Sequence, residues 1–380
     1  MAKPKFRELR HAYGFDEVAI VPGDVTLNPD QTDVSFEIGK RSFGIPIIAS
    51  AMDGVTDPAF AIAMSKLGGL AVLNLEGVWS RYEDPATELA KIAASPDSEV
   101  TALLQKIYAQ PMREELVTAR IKQIKKGGGI AAVSIAPANT KKYLPAIMDG
   151  GADILVVAST VTSAKHISKS HHGLVFEELV KQCPIPVVVG NCVSYSACIS
   201  LMRTGIASVL VGVGPGAACT SREVLGIGVP QITATMDCAQ ARDDYQKESG
   251  RYVPIVTDGG FRKGGDVCKA FAAGADAVMI GSIFAQAKES PGHGYHWGMA
   301  APHAALPRGT RIKVGTTATL EQILFGPTST AHGGQNFVGA LRNTMGVCGA
   351  ATIKEFHSAE MVIAPAIVTE GKFWQMTSKC

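Results

Sequence analysis

No apolar run in this chain approaches the ~20 residues of a membrane span. The opening stretch, MAKPKFRELRHAYGF, holds no apolar segment of the secretory-signal kind. An excess of one charge is missing too. The formal net charge over 380 residues is +2, too small to argue for nucleic acid or an acidic membrane as partner. The eight cysteines (183, 192, 198, 219, 238, 268, 348 and 380) form no CxxC pair and share no spacing. That argues against a zinc site and a disulfide framework, and a reducing cytoplasmic location is expected. Charged residues are sparse at 18%, while 46% of residues are hydrophobic and forty are glycine. A well-buried core and many tight turns follow. The length allows one large domain or two to three small ones.

Residues 1–44 read as an N-terminal arm of short extended pieces and turns. The rhythm then changes. Eight short apolar runs follow: Gly44–Ser50, Leu70–Leu75, Gly129–Ile135, Ala152–Ser159, Ile185–Asn191, Ser208–Val213, Val253–Asp258 and Ala277–Ser282. Helix-forming stretches mostly separate them: Asp53–Lys66, Ala86–Lys126 broken at Ser95-Pro96 and Gln110-Pro111, Lys141–Asp149, Leu174–Gln182, Ser194–Arg203, Val229–Lys247 and Gly265–Ala273. Continuous rather than alternating hydrophobicity implies strands buried on both faces of a parallel sheet. Eight β/α units predict an α/β chain folded as a single (β/α)8 TIM barrel. The doubly wound alternative needs an early glycine-rich turn that is missing here. No linker or charge run marks a second domain, so residues 1–380 are expected to form one.

In such a barrel the active site lies at the C-terminal strand ends. Polar residues stand there in order: Ser50 and Asp53, Asn74 and Glu76, Ser159 and Thr160, Asn191, Cys219, Asp258 and Ser282. Cys219 follows a Gly-Pro-Gly turn in VGVGPGAACTSREVL and precedes a short helix start. Gly214 and Gly216 free the backbone there. The helix N-terminus and Arg222 would favour a thiolate nucleophile. A buried small hydrophobe is the other reading.

Strands seven and eight end in Asp258-Gly259-Gly260 and Gly281-Ser282. Barrels often hold phosphate between these two loops, on glycine N–H groups. An adjacent carboxylate, accepting only, suits a pair of ribose hydroxyls. Ordinary turn glycines are the alternative.

Four segments, ASAMDGVTD (49–57), VGVGPGAACTSREVLGIGVPQ (211–231), TDGGFRKGGDVCKAFAAGADAVMIGS (257–282) and GALRNTMGVCGAATIKEF (339–356), resemble the IMP dehydrogenase and GMP reductase family. The resemblance spans roughly residues 10–356, with no CBS-pair insertion after the second strand. It is closest to the IMP-dehydrogenase-related branch without CBS domains. It implies that Cys219 is the nucleophile adding to C2 of the purine, with Ser221 beside it where the family usually has threonine. It implies substrate contacts from Ser50, Met52, Asn191, Asp258, Gly260, Gly281, Ser282, Gly298 and Met299. Ser159, Thr160 and Asn191 fall at the cofactor end, which takes NAD, or NADP in a reductase. The carbonyls of Gly214, Gly216 and Cys219 match a potassium-binding loop, and a homotetramer is implied.

The chain departs from the family at several points. Ala217 stands for a serine phosphate contact, His296 for a phosphate-binding tyrosine, and Ala158 for an aspartate. The flap Met299–Gly315, MAAPHAALPRGTRIKVG, lacks both the Arg-Tyr pair of dehydrogenases and the glutamate of reductases. His303 has the ordinary pKa range for a base. A guanidinium is a poor base, so Arg308 or Arg311 could equally anchor phosphate or close the loop. Residues 357–380 form a tail able to pack on this barrel or on a neighbour. The resemblance implies oxidation of IMP to XMP with NAD and water. GMP reduction with NADPH and a non-catalytic purine-nucleotide-binding role are the alternatives.

Overall fold

The computed structural model describes residues 9–167, 173–299 and 311–364. Eight parallel strands close into a barrel: β1 (Ile47–Ala49), β2 (Leu70–Asn74), β3 (Ala132–Ile135), β4 (Ile154–Ala158), β5 (Val187–Cys192), β6 (Ser208–Val211), β7 (Ile255–Asp258) and β8 (Ala277–Ile280). Each strand lies beside its sequence neighbours, and Ile47–Ala49 pairs with Val278–Ile280 to shut the ring. The expected (β/α)8 barrel is therefore the observed fold. The apolar runs are buried almost end to end because barrel interior and helical layer each cover one face.

Helices α1 (Pro58–Lys66), α2 (Pro85–Ala94), α3 (Val100–Tyr108), α4 (Glu114–Lys126), α5 (Pro137–Gly150), α6 (Phe176–Gln182), α7 (Tyr195–Met202), α8 (Ser221–Leu225), α9 (Gln231–Ser249) and α10 (Gly264–Ala272) follow in turn. The long helical stretch after β2 divides at its two Xaa-Pro sites into α2, α3 and α4. α1 starts later than the sequence reading because Asp57 caps it, accepting from Phe60 N at 2.6 Å, and Pro58 fixes the first turn. β2 reaches α2 through a single 3₁₀ turn, Val78–Ser80, with no inserted domain.

The end of the barrel away from the strand C-termini is plugged. Strands Phe36–Ile38 and Arg41–Phe43 form a hairpin whose Phe36, Ile38 and Phe43 share one apolar cluster with the inward side chains Ile48, Val72 and Val256. Arg41 and Lys125 close on Asp153 beside it, at 2.5 and 2.8 Å. Val18–Ile20 pairs antiparallel with Met361–Ile363, so the early and late segments meet on the same barrel. After β8 the chain forms an antiparallel pair, Tyr295–Trp297 with Arg311–Lys313. Helices α11 (Leu320–Phe325), α12 (Phe337–Val347) and α13 (Ile353–Phe356) follow. No helix among the described residues is long and apolar enough to cross a membrane.

Candidate active site

The C-terminal ends of the strands open into a cavity of about 980 Å³. On one wall lie Ser50, Met52, Gly281 and Ser282; on another, Asn191, Asp258 and Gly260. The cysteine loop contributes Gly214, Gly216, Cys219 and Ser221, the end of β4 contributes Ser159 and Thr160, and Gly298 and Met299 complete the rim. The fold thus gathers most of the sequence-selected positions. His303 and Arg308 fall outside the described residues, as does most of the flap.

Cys219 is partly exposed, unlike most described cysteines, and its thiol donates to the buried Ser221 hydroxyl at 3.3 Å. Its N–H bonds the Gly216 carbonyl at 3.0 Å. This tight turn brings the sulfur out just before α8. The Arg222 stem packs between Gly214 and Gly228, and a Cβ on Gly214 would come within 2.7 Å of Arg222 Cγ. Gly212, at φ +153°, lets β6 pass Asp258; a Cβ there would sit 2.3 Å from the Asp258 carbonyl oxygen.

A bulge in β5 aims Asn191. Gly190 pairs with Leu210 and Cys192 with Val211, so Asn191 is the extra residue. Its amide donates to Asp258 Oδ2 at 2.8 Å. Burial pushes the Asp258 carboxyl up to about 6, against the pull of that bond. Gly259 and Gly260 follow with φ of +89° and +86°, and both line the cavity. A Cβ on Gly281 would come within 2.9 Å of Met52 Sδ, so a bare backbone there keeps Met52 against the rim.

Three positions read from the sequence are bonded into the surrounding protein. Asp53 does not line the cavity. Its Oδ2 accepts from Val78 N at 2.7 Å and from the Tyr108 hydroxyl at 2.6 Å, while Trp297 Nε1 donates to that hydroxyl at 2.8 Å. This chain ties the flap base to the turn after β1. Ser159 donates to the Val161 carbonyl at 2.8 Å and lies 2.8 Å from Thr162 Oγ1, so its hydroxyl serves its own loop. Arg311 bonds the carbonyls of Ile92 and Ser95 at 2.5 and 2.8 Å and Asp97 at 2.5 Å. It pins the flap base to the end of α2, which agrees with the loop-closing alternative.

Further polar side chains brace or border the mouth. Gln231, the first residue of α9, donates to the carbonyls of Val211 and Asp258 at 2.7 and 3.0 Å and so ties β6 to β7. Glu76 accepts from Ala136 N and from Asn139 at 3.0 and 2.7 Å, which joins β2 to the start of α5. His296 lines the cavity with neither ring nitrogen hydrogen-bonded among the described residues, and burial lowers its pKa to about 4. Only its departure from a family tyrosine had marked it.

A closed (β/α)8 barrel with a cysteine loop and two glycine turns at its C-terminal mouth defines the class. The IMP dehydrogenase / GMP reductase domain profile matches residues 12–301, and the chain belongs to that family. A Mycolicibacterium smegmatis protein named uncharacterized oxidoreductase is 37% identical, over 94% of this chain and 98% of its own. The inosine-5'-monophosphate dehydrogenase of Cryptosporidium parvum is 27% identical over 90% of this chain and 89% of its own. The crystal structure of an IMP dehydrogenase/GMP reductase-like protein from Corynebacterium glutamicum superposes with a TM-score of 0.89 at 35% identity, covering 95% of this chain and 96% of that one.

Proposed function

We propose that this protein is an IMP dehydrogenase, converting IMP, NAD and water to XMP and NADH. The observation that carries the reading is a partly exposed Cys219 beside the Ser221 hydroxyl, in the cavity that also holds Asp258 and the Gly260 and Gly281 turns. Family membership and the dehydrogenase name of the Cryptosporidium relative support it.

In this reading the nucleotide phosphate rests on the backbone of Gly260, Gly281 and Ser282. Asp258 accepts from the ribose hydroxyls, and Asn191 holds that carboxylate in place. Ser50 and Met52 border the base, and Gly298 and Met299 cover it. The Cys219 sulfur bonds to C2 of the purine. NAD, when bound, takes the hydride that leaves C2. Ser159, Thr160 and Asn191 would hold it: Ser159 can still accept after donating to Val161, and Asn191 keeps its amide oxygen after donating to Asp258. What remains on Cys219 is a thioimidate. Water then adds to C2, the C–S bond breaks, and the sulfur leaves as thiolate. That water needs a base, and His303 is our assignment, with Arg308 further along the same flap to anchor it. The carbonyls of Gly214, Gly216 and Cys219 would hold potassium and fix the loop. The Gly216 oxygen already accepts the Cys219 N–H, which leaves it one lone pair for an ion.

Absorbance of the reduced nicotinamide tests the reading. NADH should appear with IMP plus NAD, and NADPH should persist with GMP. NADPH consumption with GMP alone would instead make the protein a GMP reductase. Tight IMP binding with neither signal would leave only a nucleotide-binding role.

A further inference from the structure

Cys192, Cys198 and Cys238 come from three different elements: the last residue of β5, the middle of α7 and the middle of α9. Their sulfurs all lie within 4.8 Å of one another. The three residues are 2%, 0% and 0% exposed, and nothing in the proposed chemistry uses them. Their weak contacts run to backbone carbonyls: Cys198 donates to Cys238 O at 3.8 Å and Cys238 to Ser194 O at 4.0 Å.

We infer that Cys192, Cys198 and Cys238 form a capture site for a trivalent, three-coordinate thiophilic ion of the arsenic(III) class. Donor number and charge carry this choice. Soft sulfur ligands select soft ions. No histidine, aspartate or glutamate among the described residues joins the cluster as a fourth ligand, whereas structural zinc takes four. The cluster is also deeply buried, where net charge is costly. Three thiolates around a monovalent ion leave two negative charges, and around a divalent ion one. Around a trivalent ion they leave none. The cation acting on Cys198 is Arg242, and its guanidinium is already paired with Asp243 and Asp276, both at 2.9 Å. It offers no free countercharge.

Capture of arsenite balances without redox chemistry: As(OH)3 + 3 RSH → As(SR)3 + 3 H2O. Three As–O and three S–H bonds break, and three As–S and three O–H bonds form. No electron moves and no proton is released. A charged metal ion taking three thiolates would release protons instead.

The test is arsenite added to the full-length, reduced protein. Native mass spectrometry should show a gain of one arsenic less three hydrogens per chain. Arsenic X-ray absorption should show a shell of sulfur with no oxygen, and a pH-stat should record no proton release. Uptake should persist in Cys219→Ala and disappear in Cys198→Ser and in Cys238→Ser. Failure of wild-type protein to take up arsenic overturns the assignment. So does an oxygen-containing shell, measurable proton release, or loss of uptake in Cys219→Ala. The absorption and pH-stat measurements use the unaltered thiols, so a serine variant that fails to fold does not blunt them.

Discussion

Asn191 on β5 donates to Asp258 Oδ2 on β7 at 2.8 Å, spanning the intervening strand β6. The bond crosses the barrel mouth and is an opposing influence on a carboxyl that burial drives toward its neutral form. Asn191→Ala removes it. The expected result is IMP affinity lower by about tenfold, the value of one charge-assisted hydrogen bond, read by titration calorimetry at neutral pH.

Asp258 also sets a pH dependence. Its carboxyl is pushed up to about 6 from an ordinary 3.8. Only the ionised form accepts from both ribose hydroxyls. Nucleoside affinity should therefore fall as pH drops through about 6. Inosine is the better probe, because the phosphate of IMP titrates in the same range. Asp258→Asn should bind weakly throughout and lack the acid limb. Stability runs the other way. The folded chain holds this proton more tightly than the unfolded chain. Asp258 therefore favours the folded state fully below 3.8, and that contribution is lost as pH rises through about 6.

Asp276 is a purely structural position by the same geometry. It stands just before β8, at the plugged end of the barrel. It accepts from Arg242 at 2.9 Å and from Ile255 N at 2.8 Å, and the Tyr252 hydroxyl also donates to it. The Arg242 side chain is only 3% exposed. Asp276→Ala leaves that cation buried without its main partner, a change that costs about 3–5 kcal/mol. Urea denaturation should show the loss, while KM for IMP in the folded enzyme stays unchanged.

For the flap, pre-steady-state kinetics separate the two chemical steps. His303→Ala should leave the NADH burst intact and slow the steady state by about 10²–10⁴-fold, the usual weight of a general base. Arg308→Ala should act in the same direction. Unchanged hydrolysis in both variants would place the water activator elsewhere.

Much of the barrel was legible in the sequence because each strand is buried on both faces and so reads as an unbroken apolar run, as Ile154–Ala158 does. Helix starts were less legible: Asp57 and Pro58 decide where α1 begins, and the apolar spacing upstream of them misleads. Cavity residues could be chosen by their place at strand ends, which worked for Asn191, Asp258 and Cys219. The same rule put Asp53 at the mouth, where the fold instead buries it under Tyr108 and Trp297. That contact joins residues far apart in sequence. Arg311 and the carbonyls at the end of α2 are a similar case. So are Cys192, Cys198 and Cys238, whose unequal spacing carried no metal-site signal and whose meeting depends on α7 packing beside α9.

Turnover of the Cys219→Ala variant tests the covalent role of that sulfur most directly. With IMP and NAD, NADH formation should fall by about a thousandfold or more, as when a nucleophile is removed from an enzyme. The dissociation constant for IMP should stay within a few-fold of wild type, since Asp258 and the glycine turns remain. NADH formation at a near-wild-type rate would show that no bond from this cysteine to the purine is needed.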